Sequence, residues 1–404
     1  MFKIIFSRRM IVAFIMGFAC GLPLLLTITV LQAWMKEEGV DLTIIGLFAL
    51  VGLPYTLKFL WAPFLDRFIP PFLGRRRGWM LIAQIFLMVS IGGLAMTSPA
   101  DNPWIVAVAA MLVTFFSASQ DIVVDAYRRE DLRDEELGLG SSFYINGYRL
   151  GMLLASGGGL IMADFMSFKA VYLIMAACML PGIITTLFTP EPVITGGTPA
   201  SMREAVFDPL IEYFSRNGAL WMLAFILFYK VGDTMASAMT IPFYLDIGFS
   251  KTEIGAVVKL FGFWATIAGG LIGGVTMLRM GINRSLWVFG FLQAISTAGF
   301  ALLAWTGYNL PLLAGVIAFE NLSAGMGTAA YVAFMASITD KRFTATQYAL
   351  LSSLMGIPRV IASAPTGFLA KHMGWMGFFI ACTLIAIPGM LLLLKFAPWR
   401  ERES

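Results

Sequence analysis

The sequence predicts an all-α integral membrane protein with twelve transmembrane helices in two pseudo-symmetric six-helix bundles. Hydrophobic residues fill 59% of its 404 positions, about what a dozen spans of roughly 20 residues require. Charged residues are only 13%, against about 25% in soluble domains, and the mean hydropathy is +0.81. The charges are also distributed unevenly between the two sides. This composition excludes a soluble enzyme and a disordered protein.

Twelve apolar stretches bounded by polar turns run along the chain, and each is long enough to cross a bilayer as a helix. The first is a full span behind Lys3, Arg8 and Arg9, so we expect a retained helix and not a cleaved signal peptide. The predicted spans are 10–35, 43–65, 78–98, 103–127, 139–163, 168–189, 219–246, 252–278, 285–306, 310–338, 345–370 and 374–396.

The positive charges predict the orientation. Of the 28 Lys and Arg residues, 19 fall in the N-terminus, the loops after even-numbered spans and the C-terminal tail, while four lie on the other side. Cytoplasmic loops are enriched in Lys and Arg. We therefore expect both termini in the cytoplasm.

The longest connection divides the chain into two halves. It is rich in proline and glycine, and then Ser201 and Glu204 form a capping-box pattern at the start of a short amphipathic helix. Six spans on each side are typical of transporters built from repeated halves. We predict an N-terminal bundle over 1–189, a cytoplasmic linker over 190–217 and a C-terminal bundle over 218–404.

Nine ionisable residues lie inside predicted spans. Each costs about 2.5–3.5 kcal/mol near the bilayer centre on insertion scales, so they are not expected to face lipid. Buried ion pairs often only break even with apolar replacements, so pairing alone does not account for them. We expect a hydrated, basic cavity between the two halves that suits an anionic substrate. The nine are Lys58, Asp121, Asp125, Arg149, Lys230, Asp233, Lys259, Glu320 and Arg359.

We interpret most of these residues, with polar neighbours, as candidate substrate ligands. Two alternatives stay open: Lys58–Asp121 and Lys230–Asp233 as ion pairs that lock each bundle, and Tyr229 as a packing residue and not a sugar-stacking platform. The candidate substrate-binding residues are Lys58, Gln120, Asp121, Arg149, Tyr229, Lys230, Asp233, Lys259, Glu320, Asn321 and Arg359.

A carboxylate in a span can load and release a proton as access alternates, because burial favours its neutral form and nearby cations favour its charged form. Asp121 and Asp125 are four residues apart and share one helix face. We take Asp125, Asp121 and Glu320 as candidate proton-coupling residues, with Asp233 as a rival. The alternative for each is a fixed counter-ion.

Metal and nucleophilic chemistry find little support. His372 is the only histidine, and the cysteines Cys20, Cys178 and Cys382 all lie in apolar runs without a paired-cysteine motif. We therefore expect no catalytic residue, no metal, no cofactor and no nucleic-acid partner.

Several stretches resemble the AmpG muropeptide transporters, a branch of the major facilitator superfamily related to acetyl-CoA transporters. The most specific runs from Ser117 to Val123 and reads Ser-Ala-Ser-Gln-Asp-Ile-Val. Other matching stretches lie at 21–23, 31–34, 58–61, 66–67, 70–79, 125–126, 147–153, 229–230, 232–233, 319–322, 325–328, 345–347 and 349–352. The resemblance implies a major-facilitator-type fold, and it places the family's essential span-4 carboxylate on Asp125, with Asp121 beside it.

The resemblance also implies the localisation and the activity: proton-driven import, across the bacterial inner membrane, of N-acetylglucosaminyl-1,6-anhydro-N-acetylmuramyl peptides for cell-wall recycling, with β-lactamase induction in some bacteria. We expect a monomer whose partners are this anionic substrate, protons and the lipid bilayer. The nearest alternative keeps the fold and carries another anion, such as an acetyl-CoA-like molecule, a siderophore or a peptide. A membrane enzyme and a transporter-like sensor are further alternatives.

Overall fold

A computed structural model describes residues 5–192, 199–250, 253–363 and 365–397. Within these ranges all regular structure is helical, as predicted. The helices are α1 (Arg8–Leu25), α2 (Leu31–Glu37), α3 (Leu42–Leu47), α4 (Leu53–Leu57), α5 (Ala62–Arg67), α6 (Arg75–Leu94), α7 (Pro103–Asp131), α8 (Leu137–Leu153), α9 (Gly159–Ala163), α10 (Phe168–Ala177), α11 (Leu180–Phe188), α12 (Met202–Ser215), α13 (Ala219–Phe228), α14 (Val231–Ile247), α15 (Gly262–Thr306), α16 (Leu310–Ser337), α17 (Thr344–Ile361), α18 (Thr366–Leu391) and α19 (Leu393–Phe396).

The chain forms two compact units. Unit 1 comprises Met1–Ile211 together with Ala336–Ser353, and unit 2 comprises Glu212–Met335 together with Leu354–Ser404. Helix α17 therefore begins in unit 1, and the connection before it belongs to the same unit.

Eight helices within the described ranges are long and apolar enough to cross a membrane. One of them, Ile254–Thr306, covers two predicted spans. Gly281 separates these spans, because its φ of 76° and ψ of 168° interrupt the helix at a conformation that glycine adopts without steric cost. Predicted spans 43–65, 139–163 and 345–370 also contain helices, although shorter or interrupted ones. Twelve spans remain a prediction.

The surface of the helices is apolar, as a bilayer requires. Large side chains that are more than half exposed include Val108, Ile161, Leu260, Phe291 and Trp305. Soluble monomers rarely expose extended apolar surface of this kind, because water makes it unfavourable. The exposed side chains therefore indicate contact with lipid.

Three candidate residues lie where the chain departs from α-helical geometry. Lys58 begins a 3-10 turn that ends at Leu60. Lys230 lies between α13 and α14, with φ −103° and ψ 2°. Lys259 is in the π-helical segment Ile254–Phe261. Such departures are frequent at functional sites.

In unit 1, α1 and α8 approach closely along a glycine seam. A Cβ atom built on Gly17 would lie 2.0 Å from the carbonyl oxygen of Tyr144, and one on Gly147 would lie 2.0 Å from that of Phe14. The absence of a side chain at these positions lets the backbones meet. The hydrophobic core of unit 1 lies beside this seam and includes Leu22, Leu87, Val113 and Tyr172.

In unit 2, glycines allow the same close approach between α15 and α16. A Cβ atom on Gly269 would lie 2.2 Å from the carbonyl oxygen of Leu322, and one on Gly325 would lie 2.3 Å from that of Thr266. The core of unit 2 is rich in aromatic side chains, and includes Phe243, Phe300 and Phe379. Both units are therefore held by close backbone contact and by packed apolar side chains.

Helix α12 begins at its predicted cap, with one of the two capping-box hydrogen bonds shifted by one residue. The Glu204 N–H donates to Ser201 Oγ at 3.1 Å, and the Glu204 carboxylate accepts from the Ala200 N–H at 2.7 Å. The apolar side chains that α12 exposes are Met202, Phe207, Ile211 and Phe214.

The two arginines at the start of α6, Arg75 and Arg76, are buried in an ion-pair cluster and not solvated. The Arg76 side chain is fully buried, 2.8 Å from Asp66 and 2.6 Å from Glu130, while Arg75 lies 3.1 Å from Glu130. Asp66 also accepts from the N–H and the hydroxyl of Thr346, each at 2.8 Å. The cluster therefore joins α5, α6, α7 and the start of α17 within unit 1.

We expect Asp66→Ala to lower the free energy of unfolding by about 3–5 kcal/mol, because it removes one of the carboxylates that neutralise a buried guanidinium. Thermal unfolding of the purified protein in detergent would measure this loss. Arg203→Ala, at an exposed position on α12, is the control and should leave the melting temperature unchanged. Equal melting temperatures for both variants would contradict a stabilising role for the cluster.

Candidate functional site

Helix α7 carries the two carboxylates of unit 1. It begins at Pro103 behind an Asn102 cap that accepts from the N–H groups of Trp104 and Ile105. Asp121 and Asp125 lie one turn apart near its far end and are both buried, with 6% and 5% of their surface exposed. The predicted shared face is therefore a buried one.

Asp125 has a fixed counter-ion. Its carboxylate accepts from Arg128 Nη2 at 3.0 Å, and the same guanidinium donates to Ser141 Oγ and Tyr348 Oη, each at 3.0 Å. The guanidinium carbon also lies 4.5 Å from the ring centre of Tyr144. Arg128 is thus buried and held from three helices. This geometry matches the alternative in which Asp125 is a fixed counter-ion and not a proton-coupling residue.

Asp121 has no ion pair among the described residues. Its Oδ1 atom is buried without a hydrogen-bond partner there. The buried Lys58 ammonium interacts electrostatically with Asp121 and Asp125 but is not in direct contact with either. The Lys58–Asp121 alternative is therefore present only as a through-space attraction.

The polar neighbours of Asp121 are bound to other side chains. Gln120 is fully buried and donates to Cys20 Sγ at 3.2 Å. Tyr55 donates to Ser117 at 2.9 Å, and Trp61 donates to Ser119 at 3.0 Å. Gln120 thus packs inside the bundle in this conformation, whereas Arg149 on α8 is partly exposed.

In unit 2, Lys230 and Asp233 form an ion pair. The Lys230 ammonium donates to Asp233 Oδ2 at 3.5 Å and to Thr328 Oγ1 at 3.1 Å, and both charged side chains are partly exposed. The Lys230–Asp233 ion pair considered in the sequence analysis therefore forms. Thr328 on α16 supplies a further hydrogen-bond acceptor to the lysine.

Glu320 on α16 is buried near this pair. Ser296 on α15 donates its hydroxyl hydrogen to the Glu320 carboxylate. The Glu320 carboxyl group is also within hydrogen-bonding reach of Asp233. The structure thus brings three predicted residues, Lys230, Asp233 and Glu320, into one cluster.

Two other candidates have structural partners. Tyr229 donates to the carbonyl oxygen of Leu286 at 2.9 Å and stacks on Tyr331, with ring centres 5.7 Å apart. Asn321 donates to the carbonyl oxygen of Ile317 at 3.0 Å and accepts from Thr266 at 2.7 Å. Both side chains pack helices together, as the packing alternative for Tyr229 anticipated.

Lys259 is exposed on its π-helical segment. It is not among the described residues that contact Lys230. The side chain of Arg359 lies outside the described residues.

The sequence analysis did not predict the hydrogen-bonding partners of the charged residues, which come from distant positions in the chain. These partners are Ser141, Tyr348, Ser296 and Thr328. Sequence reasoning also assigned Arg128 to a loop, whereas α7 continues to Asp131. The spacing of three between Asp125 and Arg128 was the available signal.

Comparison with known proteins gives the family. A model of the Major Facilitator Superfamily matches residues 9–363. The anhydromuropeptide permease of Escherichia coli strain K12 is 43% identical over 394 residues, which cover 97% of this chain and 80% of the relative. The putative transporter AmpG 4 of Rickettsia conorii is 31% identical over 97% of each chain.

Solved structures agree on the fold. A proton:xylose symporter bound to 6-bromo-6-deoxy-D-glucose matches with a TM-score of 0.71 at 12% identity, covering 96% of this chain and 95% of that one. A human organic anion transporter matches with a TM-score of 0.68 at 17% identity, covering 96% and 99%. The predicted fold, family and transporter class are confirmed. The chain is a multi-pass membrane protein that belongs to the major facilitator superfamily and, within it, to the AmpG family of transporters.

Proposed function

We propose that this chain imports N-acetylglucosaminyl-1,6-anhydro-N-acetylmuramyl peptides across the bacterial inner membrane by proton-coupled alternating access. The observation that carries the proposal is the 43% identity to an anhydromuropeptide permease over 97% of the chain. Uptake of these fragments would serve cell-wall recycling and β-lactamase induction.

The charges of the two units suit such a substrate. Muropeptides carry carboxylates. Lys230 lies 3.5 Å from the Asp233 carboxylate, and the buried Lys58 ammonium attracts Asp121 and Asp125 without contacting them. A cation held this way is already desolvated, so an incoming carboxylate gains a strong charge-assisted hydrogen bond. Arg149 is a third candidate ligand.

Asp121 is the best candidate for the coupled proton in unit 1. Asp125 is neutralised by Arg128 at 3.0 Å, whereas Asp121 has a buried oxygen without a partner and no direct ion pair among the described residues. A buried carboxylate without a close cation is costly when charged and accepts a proton readily. Asp125 then acts as the counter-ion of Arg128.

The topology belongs to the same proposal. Twelve spans would form two bundles over 1–189 and 218–404, joined by a cytoplasmic linker over 190–217, in a monomer with both termini in the cytoplasm. The excess of Lys and Arg in the loops after even-numbered spans supports this orientation.

Uptake of labelled anhydro-muropeptide into proteoliposomes tests the proposal. An inward proton gradient should drive accumulation, and an uncoupler should abolish it. Unlabelled acetyl-CoA, siderophore or simple peptide anions should not compete. No accumulation by folded protein, or efficient competition by those anions, would overturn the proposed substrate.

We expect Lys230→Ala to weaken muropeptide binding by about 10- to 100-fold, since it removes a charge-assisted hydrogen bond worth about 1.5–3 kcal/mol. Binding to purified protein in detergent would measure it. Two controls match it: Lys371→Ala, at an exposed position, and Asn321→Ala, whose amide is occupied by Ile317 and Thr266. Neither should change the affinity. An unchanged affinity in Lys230→Ala would limit Lys230 to a structural ion pair.

A further inference from the structure

The cluster around Lys230, which we call the Lys230 cluster, consists of Lys230, Asp233, Glu320, Ser296 and Thr328. Its two carboxyl groups lie within hydrogen-bonding reach of each other. Glu320 is buried, and two carboxylates this close, one of them buried, do not both remain charged, so such a pair holds a shared proton. With that proton the pair carries one negative charge, which Lys230 balances.

The ion pair between Lys230 and Asp233 is long and therefore weak. Their nitrogen–oxygen distance is 3.5 Å, whereas a charge-assisted hydrogen bond is usually about 2.7–2.9 Å long. Both side chains are also partly exposed, at 16% and 18%. An anion that reaches the cluster can therefore compete with Asp233 for the ammonium group.

A small cavity adjoins the cluster within unit 2. Asp233 and Gln293 both line it, together with Tyr229, Gly290 and Thr297. Gln293 is 6% exposed, and its Nε2 atom has no hydrogen-bond partner among the described residues. A buried amide donor is costly when it is left unpaired. Because Gln293 and Asp233 line the same cavity, an acceptor atom that enters it can satisfy this donor.

We propose that the Lys230 cluster binds a carboxylate of the transported substrate on the Lys230 ammonium and takes up one proton from water when it does so. This inference rests on the proposed function and adds to it the group that ties the proton to the substrate. The proton that binds is separate from the one assigned to Asp121 in unit 1.

The charge balance of the Lys230 cluster explains why substrate binding is accompanied by proton uptake. The substrate carboxylate replaces Asp233 on Lys230, so the negative charge of the Asp233–Glu320 pair loses its counter-ion. An uncompensated charge in a buried site is strongly unfavourable. A second proton, taken from water, neutralises the pair. The net charge of the cluster is then the same before and after binding, and no covalent bond to carbon is made or broken.

The charged and titratable groups that the described chain places against the carboxyl pair are Lys230, Tyr229 and Tyr244. The Tyr229 hydroxyl is occupied as a donor to Leu286. Lys230 is the only cation among these groups of the described chain, so loss of Lys230 to an anion is not compensated by another positive charge.

The test has one measurement with ligand and one without. Calorimetric titration of purified protein with anhydro-muropeptide, in buffers of different ionisation enthalpy, counts the protons taken up on binding. We expect the double variant Asp233→Asn/Glu320→Gln, which leaves no carboxyl group in the Lys230 cluster to protonate, to take up one proton fewer than the unmodified protein while it still binds. Glu253→Gln, a matched change at a residue that bonds Tyr308 and Ser250, should leave the count unchanged. Equal proton counts for the double variant and the unmodified protein would overturn the proposal.

Without ligand, infrared spectroscopy reports the carbonyl stretch of a protonated carboxyl group. We expect a band at neutral pH that Glu320→Gln removes, that Glu253→Gln retains, and that Ser296→Ala shifts because Ser296 donates to Glu320. Absence of this band in the unmodified protein would overturn the shared proton, and therefore the inference. Failure of the muropeptide to bind at all would instead overturn the proposed function, and the infrared result would still decide the carboxyl pair.

Discussion

Asp121→Asn should lower the limiting accumulation of muropeptide by about tenfold for each unit of the imposed pH gradient, because each coupled proton contributes a factor of ten per pH unit. Asparagine keeps the size of the protonated side chain and carries no charge. The variant should therefore fold, bind substrate and exchange it across the membrane without a gradient. Only the coupling of the Asp121 proton to transport should be lost.

Proteoliposomes with a fixed inward pH gradient would give the accumulation ratio, and counterflow without a gradient would give the exchange rate. Asp101→Asn, an aspartate at an exposed turn, is the matched control and should accumulate substrate normally. Asp125→Asn should behave differently, since it deprives the buried Arg128 of its carboxylate and should lower the melting temperature. Normal accumulation in Asp121→Asn would remove Asp121 from the coupling mechanism.

The spans were predictable because bilayer thickness fixes their length and apolar content. Local chemistry also predicted the cap of α12 at Ser201 and Glu204. The structure contains the predicted hydrogen bond to Ser201 Oγ, while the Glu204 carboxylate accepts from the Ala200 N–H, one residue before the predicted donor. The interruptions of the helices were harder to predict from the sequence. Lys230 and Lys259 lie at a break and in a π-helical segment, and such local departures depend on packing and side-chain contacts that hydropathy does not report.

The site was predictable to the level of residue type. A charge in a span is costly enough to be noticed one residue at a time, which is how Asp121, Glu320 and Lys230 were found. Their partners were not, because Tyr348 reaches Arg128 across 220 residues and Thr328 reaches Lys230 across 98. Such partners are neutral and carry no signal in composition. The same limit explains why Asn321 and Gln120 looked available for substrate although neighbouring side chains occupy them.

Gly147→Ala should prevent the recovery of stable protein, although it adds a single methyl group. The new Cβ atom would lie 2.0 Å from the carbonyl oxygen of Phe14 and 3.0 Å from the backbone nitrogen of Phe18. Both neighbours are backbone atoms of α1, so no side chain can rotate away and the two helices must separate. Overpacking a tight core typically costs about 1–3 kcal/mol, and more where relaxation is blocked. We expect a loss of about 3 kcal/mol or more.

The melting temperature and the yield of monodisperse protein in detergent would measure this loss. Gly157→Ala is the matched control, since its Cβ atom would meet only the Leu153 side chain of the preceding turn, at 3.6 Å. The two variants carry the same substitution in adjoining helical segments of unit 1, so helix propensity alone predicts equal, slightly favourable effects. A large loss confined to Gly147→Ala would therefore measure the close approach of α1 and α8 itself. Equal stability in both variants would mean that these helices can separate at little cost.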